Sequence, residues 1–161
     1  MTERYPGYNV LNKRNSPSWN DQTREVIDAR LAIDADFHRF CDQTEWRTLR
    51  AVCDRIIPQP SRHLPAAPIA AMIDQKLYSG KGDGYRDARL PALLFFAKRL
   101  LHDIAAAYYA HPASWSEIGF GGPASPRGYV RMNFDRRDPW EAAEARPGGE
   151  EEARRENEDV G

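Results

Sequence analysis

Four histidines, His38, His63, His102 and His111, are the residues of this chain best suited to acid–base or metal chemistry near neutral pH. No two of them have the HxxxH or HxH spacing that would place both rings on one face as metal ligands. No metal site is therefore predicted. His102, next to the carboxylate of Asp103, and His111 are left as candidate bases of a small self-contained helical enzyme, with a structural role as the alternative for each.

The nucleophilic side chains lack the sequence contexts that activate them. Ser114, Ser116 and Ser125 stand outside any GxSxG turn, so no base-activated serine is predicted. The two cysteines, Cys41 and Cys53, are twelve residues apart and match neither a CxxC pair nor a CxxCH haem attachment. We expect two small buried side chains, and the sequence leaves a disulfide between them open.

The segment Gly119-Phe120-Gly121-Gly122 is similar to a phosphate-binding loop in composition alone. A dinucleotide-binding loop follows a strand and begins a helix, whereas these glycines follow a helical pattern and precede Pro123. The pattern therefore excludes nucleotide binding here. In sum, the sequence predicts no catalytic residue, no cofactor site and no metal site in this chain.

The composition is that of one small globular domain. The chain has 161 residues, of which 41% are hydrophobic and 29% are charged. The formal net charge is −1 and no basic cluster stands out, so nucleic acid is not an expected partner. No apolar run reaches the length of a membrane span, and the first residues lack the apolar core of an export signal. We expect a cytoplasmic protein, or a periplasmic one if a partner is exported with it.

The spacing of apolar residues predicts an all-α fold of about four helices, because no segment has the alternation of a strand. Thr44 is the predicted N-cap of the second helix. The acidic residues Asp34, Asp36 and Asp42 before it suit the positive end of a helix dipole better than a catalytic dyad. The predicted helices span 21–31, 45–57, from Pro68 to a stop at Ser79-Gly80, and 90–109.

Irregular segments flank these helices within a single predicted domain over 1–142. Residues 1–19 are predicted to form an N-terminal arm, and 110–142 an extension rich in Gly, Pro and aromatic residues, in which no helical period lasts. Residues 143–161 hold few apolar side chains, so we expect a disordered charged tail. Aromatic and Arg side chains are typical of protein–protein contacts, so the extension is predicted to dock on a partner, or else to cover this chain's own helices. The candidate partner contacts are Tyr109, Trp115, Phe120, Arg127, Tyr129, Arg131, Arg136, Arg137 and Trp140.

Three motifs occur in a fixed order along the chain. A helix ends on Asp54-Arg55-Ile56-Ile57-Pro58 and leads into a Pro-rich loop, and Ile73-Asp74-Gln75-Lys76-Leu77 follows. The third motif runs from Tyr108-Tyr109 through Trp115 to Gly119 and Gly122. This order resembles the gluconate 2-dehydrogenase subunit 3 family, the small subunits of bacterial flavin-dependent dehydrogenases. With the ending over 127–142, the resemblance covers about Tyr5 to Ala142.

The resemblance implies a helical, non-catalytic accessory subunit without a redox centre. Its expected partner is a large FAD-containing subunit of the glucose-methanol-choline type, which oxidises a hydroxyl group of a sugar or polyol. The resemblance leaves open the substrate, the electron acceptor, the stoichiometry and whether a cytochrome c subunit joins the complex. Many members carry a twin-arginine export signal, whereas here Arg136-Arg137 lies far along the chain with no apolar segment after it. Export directed by this chain is therefore not expected.

Overall fold

A computed structural model of the chain describes residues 3–59, 65–80, 93–123, 138 and 140–159, with side chains in the 93–110 helix described from Ala97 onward. Helices are the only regular elements among these residues, which confirms the predicted all-α class. A 3₁₀ helix over Val10–Asn15 precedes α1 (Asp21–Leu31), α2 (Gln43–Ile56), α3 (Ile69–Tyr78), α4 (Leu93–Ala110), α5 (Pro112–Ile118) and α6 (Glu150–Glu158).

The described residues form two compact units, whereas the sequence predicted a single domain over 1–142. The central unit is Ala32–Ala110, and the terminal unit combines Met1–Leu31 with His111–Gly161. Apolar spacing along a sequence identifies helices but does not reveal which of them share a core. Each unit is described by itself below.

Helix α2 of the central unit begins two residues earlier than predicted, and its N-cap is Asp42 and not Thr44. The Asp42 carboxylate accepts hydrogen bonds from the backbone N–H groups of Thr44 and Glu45, at 2.7 and 2.9 Å. Glu45 in return accepts from the Asp42 N–H at 2.9 Å, which completes a capping box. The two backbone hydrogen bonds to its carboxylate hold the pKa of Asp42 below its ordinary value.

The core of the central unit lies around α3, which contacts both α2 and α4. Ile69 and Ile73 of α3 are buried together with Trp46 and Cys53 of α2 and Ile104 of α4. Helix α3 ends at Tyr78 with Ser79 as its C-cap, which agrees with the predicted stop at Ser79-Gly80. Helices α2 and α3 therefore both contribute buried side chains to this core.

The core of the terminal unit is a cluster of aromatic and aliphatic side chains contributed by residues far apart in sequence. Tyr8, Val10, Trp19, Ile27 and Trp115 are its buried members. Helix α5 packs against the 3₁₀ helix, and the Ser116 hydroxyl accepts a hydrogen bond from the Val10 N–H at 3.1 Å. The predicted N-terminal arm is thus part of a packed core and contains a helical turn.

A C-terminal helix replaces the disordered tail that was expected over 143–161. Helix α6 buries Ala153 and Asn157, which are four residues apart and therefore share one face. Asn157 donates to the carbonyls of Pro6 and Ala143, at 2.8 and 3.0 Å, and accepts from the Ala143 N–H at 2.6 Å. These hydrogen bonds and two buried alanines, Ala143 and Ala153, hold the segment in place, and neither feature is distinguishable in a composition rich in charged residues.

Lys13 is a buried cation in the core of the terminal unit. Its residue is 3% exposed, and its ammonium lies 5.7 Å from the centre of the Trp19 ring. Burial lowers the pKa of Lys13 from 10.5 to about 8, against the opposing effect of Glu141 and Asp138. The folded state therefore disfavours the charged form of this side chain.

Replacing Lys13 with methionine, which keeps the length of the side chain without the charge, is expected to raise the free energy of unfolding at pH 7 by on the order of 2 kcal/mol. Between pH 8 and pH 10.5 an unfolded Lys13 holds a proton that the folded one has lost, so the wild type gains stability as the pH rises through that window. The difference in the free energy of unfolding between the variant and the wild type should therefore be smaller at pH 10 than at pH 7. Urea unfolding at pH 7 and pH 10 measures both effects, and a less stable variant at pH 7 would mean that the contact with Trp19 outweighs burial.

Candidate interaction surfaces

The second motif of the chain has a structural role centred on Asp74. This fully buried carboxylate accepts hydrogen bonds from three successive backbone N–H groups, those of Arg39, Phe40 and Cys41, at 2.7, 3.1 and 2.8 Å. Successive N–H groups that point at one spot form an anion-binding concavity, and here the chain's own carboxylate fills it. Asp74 therefore fixes the loop that precedes α2.

The same hydrogen bonds determine the charge of Asp74. Burial alone raises the pKa of the carboxyl, but the backbone N–H groups of Arg39, Cys41 and Phe40 lower it by more in total, so the pKa of Asp74 is below its ordinary value of 3.8. The group is ionised at neutral pH. It serves as a fixed acceptor for the loop and holds no exchangeable proton for catalysis near pH 7.

The two cysteines are free thiols in protected surroundings. Burial, together with a hydrogen bond to Asp74, raises the pKa of Cys41 to about 12, and burial raises the pKa of Cys53 to about 11. Because the thiolate is the nucleophile, both side chains are poorly reactive at neutral pH. The structure thus favours the buried thiols expected from the sequence over a disulfide.

The aromatic stretch that the sequence left without regular structure contains the short helix α5. His111 is its N-cap, where the ring Nδ1 accepts from the Ala113 N–H at 3.2 Å, and Pro112 occupies the first turn. Gly119 ends the helix with φ 67°, in the left-handed region that glycine adopts without strain. A Cβ at Gly119 would also lie 2.6 Å from the Tyr5 ring, so glycine is required here for two reasons.

The second glycine of the third motif closes the aromatic core of the terminal unit. Gly122 has φ 82°, and a Cβ there would lie 3.1 Å from the Trp19 ring and 3.3 Å from the Trp115 ring. Next to it, the Gly121 carbonyl accepts a hydrogen bond from the Trp19 Nε1 at 3.1 Å. The W-x-x-I-G-F-x-G pattern is therefore explained by packing and backbone geometry.

The predicted partner contacts divide into three groups. Tyr109 and Phe120 are exposed, as a partner contact requires, although Phe120 also meets the Trp115 ring edge-on at 5.6 Å. Trp115 is buried in the core of the terminal unit and Trp140 packs against that core, so neither is presented as a free anchor. The remaining predicted contacts, Arg127, Tyr129, Arg131, Arg136 and Arg137, lie outside the described residues.

The two histidines considered as bases, His102 and His111, differ in exposure and in their hydrogen bonds. His102 is exposed, and within the described part of the chain no hydrogen bond joins it to Asp103. The Asp103 carboxylate instead contacts Lys76 at 2.8 Å and Arg99 at 3.4 Å. His111 is buried with its Nδ1 used as a helix cap. In the described geometry the Nδ1 of His111 accepts from backbone and Asp103 contacts two cations, and the self-contained enzyme stays a hypothesis.

Large apolar side chains remain exposed on both units. The terminal unit exposes Val26, Leu31, Ile118 and Phe120, and the central unit exposes Phe37, Phe40, Ile56, Tyr78, Leu101 and Tyr109. Single exposed apolar residues are common on proteins, but aromatic residues grouped with Arg are typical of binding surfaces.

Neither a metal-binding cluster nor a membrane-spanning helix is present among the residues that the structure describes. These residues contain no group of three or more His, Cys, Asp or Glu side chains placed to hold a metal ion. Their helices include none with both the length and the apolar character needed to cross a membrane.

Comparison of the chain with protein-family models, with curated proteins and with solved structures gives no match.

Proposed function

We propose that this chain is a non-catalytic accessory subunit that binds and stabilises the FAD-containing catalytic subunit of a dehydrogenase complex acting on a hydroxyl group of a sugar or polyol. The observation that supports this best is the structural role of residues in the second and third motifs. Asp74, Gly119 and Gly122 hold backbone and core in place and serve no visible chemistry, while aromatic side chains stay exposed.

Such a subunit would act physically by coupling its own binding to the folding of the large subunit. A chain that binds the folded large subunit and not its unfolded form stabilises the folded form by mass action, by about 4 kcal/mol when its free concentration is a thousand times the dissociation constant. Exposed aromatic side chains provide the apolar area that such binding removes from water. The flavin then belongs to the partner, and this chain needs no cofactor of its own.

The compartment follows from the partner in this proposal. The complex is cytoplasmic if neither subunit has an export signal, and periplasmic if the large subunit carries one. A cytochrome c subunit that passes electrons onward would bind the same complex. Each of these statements extends the proposed role and depends on it.

Co-expression of a tagged form of this chain with the large-subunit gene adjacent to its own tests the proposal. We expect the flavoprotein to co-purify with bound FAD and with dye-linked dehydrogenase activity on sugars. Without this chain, the soluble, flavin-containing yield of the large subunit should fall at least about tenfold, because the free large subunit leaves apolar surface uncovered. Equal yield and activity in the absence of this chain would refute the proposal, and turnover by the purified chain alone would favour the enzyme alternative.

A further inference from the structure

Phe37, Arg39 and Tyr78 form an exposed cluster on the central unit, and Phe40 is exposed next to Arg39 in the sequence. Phe37 and Phe40 belong to the loop before α2 and are 54% and 50% exposed, and Tyr78 at the end of α3 is 58% exposed. The Arg39 guanidinium carbon lies 5.0 Å from the centre of the Phe37 ring and 5.5 Å from the centre of the Tyr78 ring. We call these four residues the Phe37–Tyr78 patch.

Arg39 keeps its hydrogen-bonding capacity free. Its side chain contacts the two rings, and among the described residues it forms no ion pair or side-chain hydrogen bond. A guanidinium presents a planar fork of N–H donors that matches a carboxylate with two parallel hydrogen bonds. Arg39 is exposed, and the contacts of its guanidinium with the Phe37 and Tyr78 rings favour one orientation of that plane, so a carboxylate on a partner can reach it without a rearrangement of the side chain.

Hydrogen bonds to a buried carboxylate fix the backbone of the patch. The backbone N–H groups of Arg39 and Phe40 donate to the buried Asp74 carboxylate, which fixes the part of the loop that carries both side chains. At the near end of the loop, Arg50 of α2 binds Asp36 at 2.8 Å. A surface that is already ordered loses little conformational entropy on binding, which is a property of strong interaction sites.

We propose that the Phe37–Tyr78 patch is the site where this chain docks on its protein partner, and that the partner presents an Asp or Glu carboxylate within an apolar surface to Arg39. The inference rests on the proposed function, since it takes the partner to be the flavin-containing subunit. Charge complementarity favours this occupant, because the charged group of the patch is the Arg39 cation, which has no ion pair among the described residues and contacts two aromatic rings.

A displacement experiment on the intact complex tests the patch. Fluorescently labelled wild-type chain in the purified complex is displaced by increasing amounts of unlabelled variant. We expect Arg39→Glu and Phe37→Ala to require about 30-fold more chain for half-displacement, the size typical of a binding hot spot. Arg39→Lys should need an intermediate excess of about tenfold, because it keeps the charge and loses the planar fork.

Matched controls separate the patch from general effects of charge and area. Arg47→Glu makes the same change of charge at an exposed arginine of α2, and Leu101→Ala removes an equally exposed apolar side chain from α4. Both controls should compete within about threefold of the wild type, as substitutions outside a hot spot do. Thermal unfolding of each isolated variant should match the wild type, because the altered side chains are half exposed.

Four results would overturn the inference, and they point to different causes. If the complex forms and the patch variants compete as well as the wild type, the docking site lies elsewhere while the proposed function stands. If the wild-type chain binds no flavin-containing subunit, the proposed function and the inference fail together. Lower unfolding temperatures for the isolated patch variants would show that another part of this chain covers the patch. A dimer of the isolated chain that Arg39→Glu dissociates would show that the occupant is a second copy.

Discussion

Replacing Asp74 with alanine is expected to lower the free energy of unfolding by about 4 kcal/mol, because it leaves three backbone N–H groups without their acceptor at about 1–3 kcal/mol each, partly offset by water. Asp74→Asn should also be costly. Its side chain keeps one acceptor oxygen and presents an NH₂ donor to N–H groups that are themselves donors. Urea unfolding of the two variants and the wild type measures the loss.

The contribution of Asp74 to the free energy of unfolding depends on pH, which provides a second measurement. Its folded pKa is below the unfolded value, so its contribution to stability is fully present above pH 4 and is lost as the pH falls through the folded pKa. The difference in the free energy of unfolding between the wild type and Asp74→Asn should therefore become smaller as the pH falls below 4. Asp54, exposed on α2, is the matched control, and Asp54→Asn should change stability by less than about 0.5 kcal/mol. Equal losses at Asp74 and Asp54 would contradict the role given to the buried carboxylate.

The second large effect is expected at Asn157, which is 0% exposed and uses both ends of its amide. Asn157→Ala removes three hydrogen bonds and leaves the carbonyls of Pro6 and Ala143 and the Ala143 N–H without this partner, at a cost of about 3 kcal/mol. Asn157→Asp should cost at least as much although its shape is the same, because a carboxylate oxygen would replace the NH₂ that faces the two carbonyls.

Hydrogen exchange and limited proteolysis follow the local effect of Asn157. Loss of the amide should release α6, so that protease sites in Glu150–Glu158 become accessible before the rest of the chain unfolds. Glu152, exposed on the same helix, is the control, and Glu152→Ala should leave the cleavage rate within about twofold of the wild type. Unchanged cleavage in Asn157→Ala would contradict the view that this side chain orders the segment.

Helices long enough to show a repeated spacing of apolar residues could be predicted from the sequence, and shorter or more polar helices could not. The limits predicted for α1 agree with Asp21–Leu31, and the stop after α3 lies where the Ser79-Gly80 signal placed it. Helix α5 has seven residues, which is too short for an apolar period, although its signals of Pro at the start and Gly at the end were present. Helix α6 was missed because its buried face is Ala153 and Asn157, and a buried amide is not distinguishable from a solvated one in the sequence.

The candidate site was harder to predict because it depends on contacts between distant residues. The importance of Asp74 comes from a loop 33 to 35 residues earlier, and no periodic pattern records that separation. Trp115 was taken for a partner contact because aromatic composition gives no indication of which rings a chain buries itself. The segment Phe37-His38-Arg39-Phe40 did contain a signal, two rings flanking an arginine, and only Tyr78 had to come from elsewhere.

The hydrogen bond from Asn157 to the Pro6 carbonyl joins residues 151 positions apart, and Val10 and Ser116 are joined across 106 positions. The side-chain hydrogen bonds between elements of the central unit span 8 to 35 positions. During synthesis the central unit can therefore complete its contacts on the ribosome, whereas the terminal unit can close only after the residues of α6 have emerged. Until Trp115 emerges, the Tyr8, Val10 and Trp19 side chains lack one of the residues that later bury them, and the Pro6 carbonyl waits longer still for its hydrogen bond from Asn157.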